Sequence, residues 1–299
     1  MEDFFMSRRR IEILDSTLRD GAQGEGISFS VSDKLNIVKA LDSFGIDYIE
    51  AGNPGSNPKD MEFFQKATML DLKHSKLCAF GSTCRNGVHP KDDRNVKALV
   101  DSGVDTLVIF GKTWDLHVKK VLNITLEENL IIVEKTISYL KSLGKYVIFD
   151  AEHFFDGYKS DASYAMNVLK HAIKGGADVL TLCDTNGGSM PNEVEALTKT
   201  VVSSFSEAKV AIHCHNDSGC AVANSMISVD AGAVQVQGTF IGIGERCGNA
   251  DLSIILPNLK LKMGYDCNGD ITQLYSVTRR IADISNTQID NNKPYVGKS

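Results

Sequence analysis

The chain has 299 residues, 42% of them hydrophobic and 23% charged, with a formal net charge of −6; it can bury one large α/β domain or two smaller ones, and an acidic balance without a compensating basic stripe excludes a generic nucleic-acid binder. No apolar run is long enough to cross a bilayer, and the opening "MEDFFMSRRRIEIL" lacks the apolar stretch of a secretory leader. Seven cysteines without a CxxC pair (78, 84, 183, 214, 220, 247 and 267) read as reduced thiols, so a soluble, cytoplasmic protein with no nucleic-acid or membrane partner is expected.

In chain order, short runs rich in Val, Ile and Leu alternate with segments of helical spacing. "IEIL" leads into the charged turn "DSTLRDGAQGEG", then into "SDKLNIVKALDSFG", a helix with Ser32 as its N-cap and Gly45 at its end. "YIEAG", "LCAFGS" and "TLVIFG" are the next strands. "EENLIIVEKTISYLKSLG" follows as a helix behind Thr125, then the strand "YVIFDA" and the helix "SYAMNVLKHAIKGGA" behind Asp161. "VLTLCD", "VAIHCH" and "VQVQGT" bring the strands to eight, and Gly103, Gly144 and Gly232 stand just past helix ends. Continuously apolar strands are those buried on both faces of a parallel sheet. Repeated β–α units over about 250 residues predict a (β/α)8 TIM barrel; a doubly wound open sheet is the alternative topology. After "LKMGYDC", "DITQLYSVTRRIADISN" reads as a single amphipathic helix. The expected division is a catalytic barrel over 9–265 and a short C-terminal helical extension over 266–299.

A barrel concentrates function at the C-terminal ends of its strands. Arg19 and Asp20 follow strand one, Asn53 strand two, Thr83 and Arg85 strand three, and Lys112 strand four. Glu152 and His153 follow strand five, Asp184 to Asn186 strand six, and Glu245 to Asn249 strand eight. The N-terminal ends carry nothing comparable. In "IHCHND", His213 and His215 lie two apart on a strand, so both imidazoles project from one face and can chelate one ion, while Cys214 turns to the opposite face as core packing. In a closed barrel Asp20 converges with them near the axis. A carboxylate and two imidazoles suit Mg, Mn, Fe, Co or Zn, with open positions for a substrate. Asp15 and Glu25 in the same turn have no assigned role.

"DSTLRDGAQ", "CDTNGG", "HCHND" and "GIGERCGNA" occur in this order, each after a predicted strand. Together they resemble the metal-dependent acyltransferase and lyase superfamily of isopropylmalate, homocitrate and citramalate synthases, over about residues 11–265. The resemblance implies a divalent metal (Mn²⁺, Mg²⁺ or Zn²⁺) held by Asp20, His213 and His215, with Asn249 as a further ligand. It implies Arg19 as the catalytic arginine and Glu152 as a substrate-contacting or acid/base carboxylate. Thr185 would hold the carboxylate of a 2-oxo acid, Gln23 occupies a substrate-binding position, and Glu50 orients Arg19. The implied reaction condenses acetyl-CoA with the 2-oxo acid and releases CoA, in a homodimer. A hydroxymethylglutaryl-CoA lyase would carry a "GCP"-type loop near the last strand, whereas Cys247 in "GERCGNAD" has no following Pro. Biotin-dependent carboxyltransferase domains lack "GERxGN" and need a carbamylated lysine.

Within the family, "AGNPGSNPKD", "AFGST" and "GKTWDLHV" resemble the citramalate synthase branch, which uses pyruvate. The chain departs at Cys84 and at Asn53, where that branch usually has Trp. Asn53 is expected near the oxo-acid side chain, which keeps isopropylmalate or homocitrate synthesis as the next choice. "GSNPKD" and "DTNGG" match no P-loop and are read as turns. In the synthases "PYVG" leads into a histidine-bearing segment and a regulatory domain. Neither follows here, so an inactive metal- and oxo-acid-binding module is the second expectation.

Overall fold

The computed structural model describes residues 8–298, in which parallel strands close on themselves as the expected TIM barrel. The ring comprises β1 (Arg8–Asp15), β2 (Tyr48–Glu50), β3 (Lys76–Ser82), β4 (Thr106–Lys112), β5 (Tyr146–Glu152), β6 (Val179–Asp184), β7 (Lys209–Cys214) and β8 (Gln235–Gly238). It closes because β1 pairs in parallel with both β2, at Leu14↔Tyr48, and β8, at Glu12↔Gln235. The reading of residues 1–7 as lacking a leader lies outside the described residues. No described helix is long and apolar enough to cross a membrane.

Helices outside the ring include α1 (Val31–Phe44), α2 (Pro58–Ala67), α3 (Arg94–Asp101), α4 (Leu126–Ser142), α5 (Ala162–Gly175), α6 (Pro191–Ser204), α7 (Ala221–Asp230), α8 (Leu252–Pro257) and α9 (Leu274–Ser285). Thr125 and Asp161 cap α4 and α5 as expected, but α1 is capped by Ser30 rather than Ser32. The reason is local: Ser30 and Asp33 exchange hydrogen bonds in a capping box, which starts the helix two residues earlier. In "GSNPKD", Asn57 accepts from the Lys59 N–H and Pro58 occupies the first turn of α2. The segment "DITQLYSVTRRIADISN" begins with a 3-10 turn, Ile271–Gln273, before α9.

A ninth strand, β9 (Tyr265–Cys267), adds to the N-terminal half of β1 through Ile11↔Cys267. Helix α9 packs on α1, and its Val277 and Ile281 share the main hydrophobic core with Val296. The segment after the barrel is thus built into the same core as the barrel helices.

Period-two alternation sorts each ring strand into an outward and an inward set. Outward side chains such as Ile13, Ile49, Leu107, Phe149, Leu182 and Ile212 pack under the helices, and Cys214 joins them. Inward, each of β1 to β7 gives one residue to an apolar layer: Leu14, Tyr48, Cys78, Val108, Ile148, Val179 and Ala211. Two residues further along, the same inward face presents Glu50, Phe80, Phe110, Asp150, Thr181 and His213. The apolar layer is the floor, and the polar and aromatic residues stand on it.

Below that floor the interior is polar again, contrary to the expectation of featureless N-terminal strand ends. The Tyr48 hydroxyl and the Gln235 amide donate to Glu12 at 3.5 and 3.4 Å. The Tyr48 and Tyr146 rings stack at 6.2 Å, with the Lys76 ammonium 5.4 and 5.9 Å from their centres. These groups plug the barrel, although the Tyr146 hydroxyl and the Gln235 carbonyl oxygen are buried without a hydrogen-bond partner.

Asp15 alternates to the outward face and is fully buried. Thr17 donates to it from its backbone N–H at 3.1 Å and from its hydroxyl at 2.7 Å. Burial disfavours the charged form and pushes the Asp15 pKa up to about 7. The folded state therefore favours the neutral acid: the stabilisation is complete below the unfolded value of about 4 and is lost as pH rises through about 7. Asp15→Asn, neutral throughout, is expected to lose less stability than the wild type over that window, by a difference on the order of a few kcal/mol. Denaturant titrations of both proteins at the two ends of the window, in chelator, measure it.

Candidate active site

The ends of β3 to β7 and the turn after β1 meet above the apolar floor. The turn bends back through Arg19 N–H to Ser16 C=O and Gly21 N–H to Ser16 C=O, which turns Asp20 toward the axis. Asp20 Oδ2 lies 3.5 Å from His213 Nε2 and 3.7 Å from His215 Nε2, and all three side chains are buried. Among the described residues this is the one group of three or more His, Cys, Asp or Glu whose donor atoms all lie within 4.8 Å of one another. It can hold a metal ion.

Asn249 arrives from the loop after β8, which bridges back to His215. Its amide nitrogen donates to Asp20 Oδ1 at 2.9 Å, while its carbonyl oxygen is buried without a hydrogen-bond partner. A buried acceptor left open beside a carboxylate and two imidazoles is what a cation would complete. Gly244 makes the approach possible, because a Cβ there would overlap the Asn249 amide nitrogen. The donor set therefore fits a divalent metal.

Burial opposes charge on Asp20, but Arg19 and then His213 outweigh it and hold the carboxyl well below its usual range. Burial likewise opposes a charged His213, and Asp20 overcomes it and raises the pKa. For His215, burial and then the neighbouring His213 outweigh Asp20 and push the pKa down to about 4. A cation binding here competes with protonation of His213.

Arg19 is fixed on three sides. Its Nε donates to Glu50 at 2.6 Å, its Nη1 to Asp20 at 3.0 Å, and its guanidinium lies 3.9 Å over the Phe80 ring. Glu50, fully buried, also accepts from the Ser16 hydroxyl. Across the cavity Glu152 pairs with Lys112 at 2.5 Å, the two being partners in the β4–β5 register.

Thr185 does not cap the helix that follows; its Oγ1 accepts from the His153 N–H at 2.8 Å. Arg246 ties the upper loops together, donating to both Asp217 oxygens at 2.8 and 3.0 Å and to the Thr185 carbonyl at 2.6 Å. These residues surround a cavity of about 220 Å³ whose wall includes Arg19, Asp20, Gln23, Glu152, Thr185, His213, His215 and Glu245.

Asn53 stands elsewhere. It lines a neighbouring cavity of about 280 Å³ with Lys34, Lys59 and Phe29, which shares only Arg19, Gln23 and Phe80 with the first. The Asn53 N–H donates to Asp60, itself paired with Lys34, so the β2–α2 turn is pulled away from the metal group. The side wall beside the metal group is instead Phe80, Phe110 and Cys183, with the two rings stacked at 5.1 Å.

Sequence reasoning passed over Asp150 and Gln237. Asp150 lies two residues before Glu152 on one strand, so alternation places it on the same face; burial, then Glu50, raise its pKa to about 6. Gln237 carries no charge and reads as ordinary strand.

The HMGL-like family model matches residues 10–281. The (R)-citramalate synthase of Aquifex aeolicus is 52% identical over 97% of this chain and 55% of its own length. That of Geobacter sulfurreducens is 49% identical over 97% of this chain and 55% of its own length. The chain thus spans about half the length of these relatives. A 2-isopropylmalate synthase of Sulfolobus acidocaldarius is 34% identical, covering 99% of this chain and 74% of that protein. In fold, the crystal structure of the Bacillus subtilis HMG-CoA lyase superposes with a TM-score of 0.82 at 20% identity, covering 98% of this chain and 99% of the other.

Proposed function

This chain belongs to the HMGL-like family, and from that membership and its site we propose that it condenses acetyl-CoA with pyruvate, giving citramalate and free CoA. The observation that carries the reading is the convergence of Asp20, His213 and His215 beside Arg19 and Glu152 in one cavity. Identity of 52% to an (R)-citramalate synthase, against 34% to a 2-isopropylmalate synthase, favours pyruvate as the 2-oxo acid.

Asp20, His213, His215 and the open carbonyl of Asn249 would hold Mn²⁺, Mg²⁺ or Zn²⁺. When bound, the cation supplies Lewis-acid polarisation of the 2-oxo group. Arg19, held by Glu50 and Asp20, offers its remaining N–H groups to the ketone oxygen as that atom gains charge. The Thr185 oxygen already accepts a backbone N–H, so its hydroxyl hydrogen is available to the carboxylate of the oxo acid. Glu152 faces the cavity from the opposite side and serves as the acid/base or substrate-contacting carboxylate. The second cavity, which shares Arg19, Gln23 and Phe80 with the first, is where the thioester would approach the ketone. Water then hydrolyses the thioester, which balances the release of CoA.

Phe80 and Phe110, stacked at 5.1 Å, form the apolar wall that the methyl group of pyruvate would meet. A hydrophobic wall discriminates by about 1–3 kcal/mol per methylene, roughly 10- to 200-fold. Pyruvate is therefore expected to exceed 2-oxoisovalerate in kcat/KM by at least that factor, read as CoA thiol release with the product identified by NMR. Preference for 2-oxoisovalerate would overturn the substrate. Metal-dependent pyruvate binding without CoA release would instead identify a binding module that needs the part of its relatives this chain does not span.

A further inference from the structure

We infer that Gln237 is a positioning residue that dictates which ring nitrogen of His213 faces the metal group, and that Asp150 dictates which way the Gln237 amide points. The inference rests on the metal-site reading above.

Gln237 spans the barrel interior. Its Oε1 lies 3.0 Å from His213 Nδ1, and its Nε2 donates to Asp150 Oδ1 at 3.1 Å and to Thr181 Oγ1 at 2.9 Å. The backbone sets up both ends, since Gln237 is the β8 register partner of His213 and Thr181 is the β6 register partner of Asp150. All of these side chains are buried, so water cannot stand in for a lost partner. A primary amide donates at one end and accepts at the other. Reversed, it would set its oxygen against the Asp150 carboxyl oxygen, acceptor facing acceptor.

The carbonyl end is therefore committed to His213, and a carbonyl only accepts, so the hydrogen of the neutral ring resides on Nδ1. That leaves Nε2, 3.5 Å from Asp20 Oδ2, as the nitrogen with the free lone pair. His215 shows the contrast: its Nδ1 is buried with no partner, so nothing on that side selects its tautomer. Asp150 thus acts on the metal group through two intervening side chains.

The test is long-range ¹⁵N NMR of histidine in the metal-free protein, paired with Mn²⁺ titration followed by EPR. Measured at a pH high enough that the ring is neutral, wild-type His213 is expected to carry its hydrogen on Nδ1. Gln237→Leu should give a tautomer mixture and bind Mn²⁺ about 10- to 100-fold more weakly, the usual cost of removing a partner behind a ligand. Asp150→Asn should do the same in smaller measure, because the Gln237 amide can then reverse. The double variant Gln237→Glu/Asp150→Asn keeps an acceptor facing His213 Nδ1 and exchanges donor and acceptor only at the Asp150 and Thr181 end, and should restore both readouts even if the Leu variant does not fold. An unchanged tautomer and unchanged Mn²⁺ affinity in both single variants would overturn the inference. A wild type that takes up no Mn²⁺ would overturn the metal site instead, and the tautomer measurement separates the two failures.

Discussion

Asp20→Asn is expected to weaken Mn²⁺ binding by more than about 100-fold, beyond the loss that follows removal of a partner behind a ligand. The substitution is nearly isosteric and removes the one negative charge in the group of three side chains that can hold the ion. Asp20 is also the shared point of the site: it faces both imidazoles, accepts from Asn249 and receives Arg19. The same variant has a signature without metal. Burial opposes a charged His213 and Asp20 reverses the sign, so with Asn at this position the His213 pKa should fall. EPR titration of free Mn²⁺ measures the affinity, and NMR titration of His213 in chelator measures the shift. Thermal melts in chelator establish that the variant is folded.

Arg19→Lys should cost roughly 100- to 1,000-fold in turnover, the range for losing a preorganised donor to a developing oxyanion. Mn²⁺ affinity should change far less. Lysine keeps the charge but brings a single ammonium, whereas Arg19 uses separate nitrogens for Glu50 and Asp20 and a flat face for Phe80. A lysine that satisfies Glu50 leaves the ketone oxygen unattended. Measuring kcat and KM for pyruvate beside Mn²⁺ affinity separates this role from a scaffold role. Turnover within a few-fold of wild type would make the arginine an ion-pair partner only.

Much of this was legible in the chain. The ring strands announced themselves because both their faces are buried, one against helices and one against the inner layer, so their apolar runs are unbroken. The three residues of β9 gave no such signal, since "YDC" becomes a strand only through its place against β1. His213 and His215 were legible from period two alone, and Asp20 from the closure of a ring that puts its first strand beside its eighth. Which cavity Asn53 lines was not legible, because chain order says which strand it follows but not where the turn goes; its backbone N–H is held by Asp60. Asp150 was available from alternation with Glu152. Gln237 was not, because the meaning of a neutral amide depends on what flanks it, here an imidazole and a carboxyl from distant strands. The polar plug beneath the floor escaped for the same reason: Glu12 meets Tyr48 and Gln235 from strands far apart in the chain.

Calorimetric titration of pyruvate into the metal-stripped and the Mn²⁺-loaded chain, with Asp20→Asn as the control, tests the central claim most directly. Pyruvate should bind the Mn²⁺-loaded wild type and neither the stripped protein nor the Mn²⁺-treated variant. Binding of equal strength with and without metal, or none to the loaded wild type, would contradict a metal-centred oxo-acid site built on Asp20, His213 and His215.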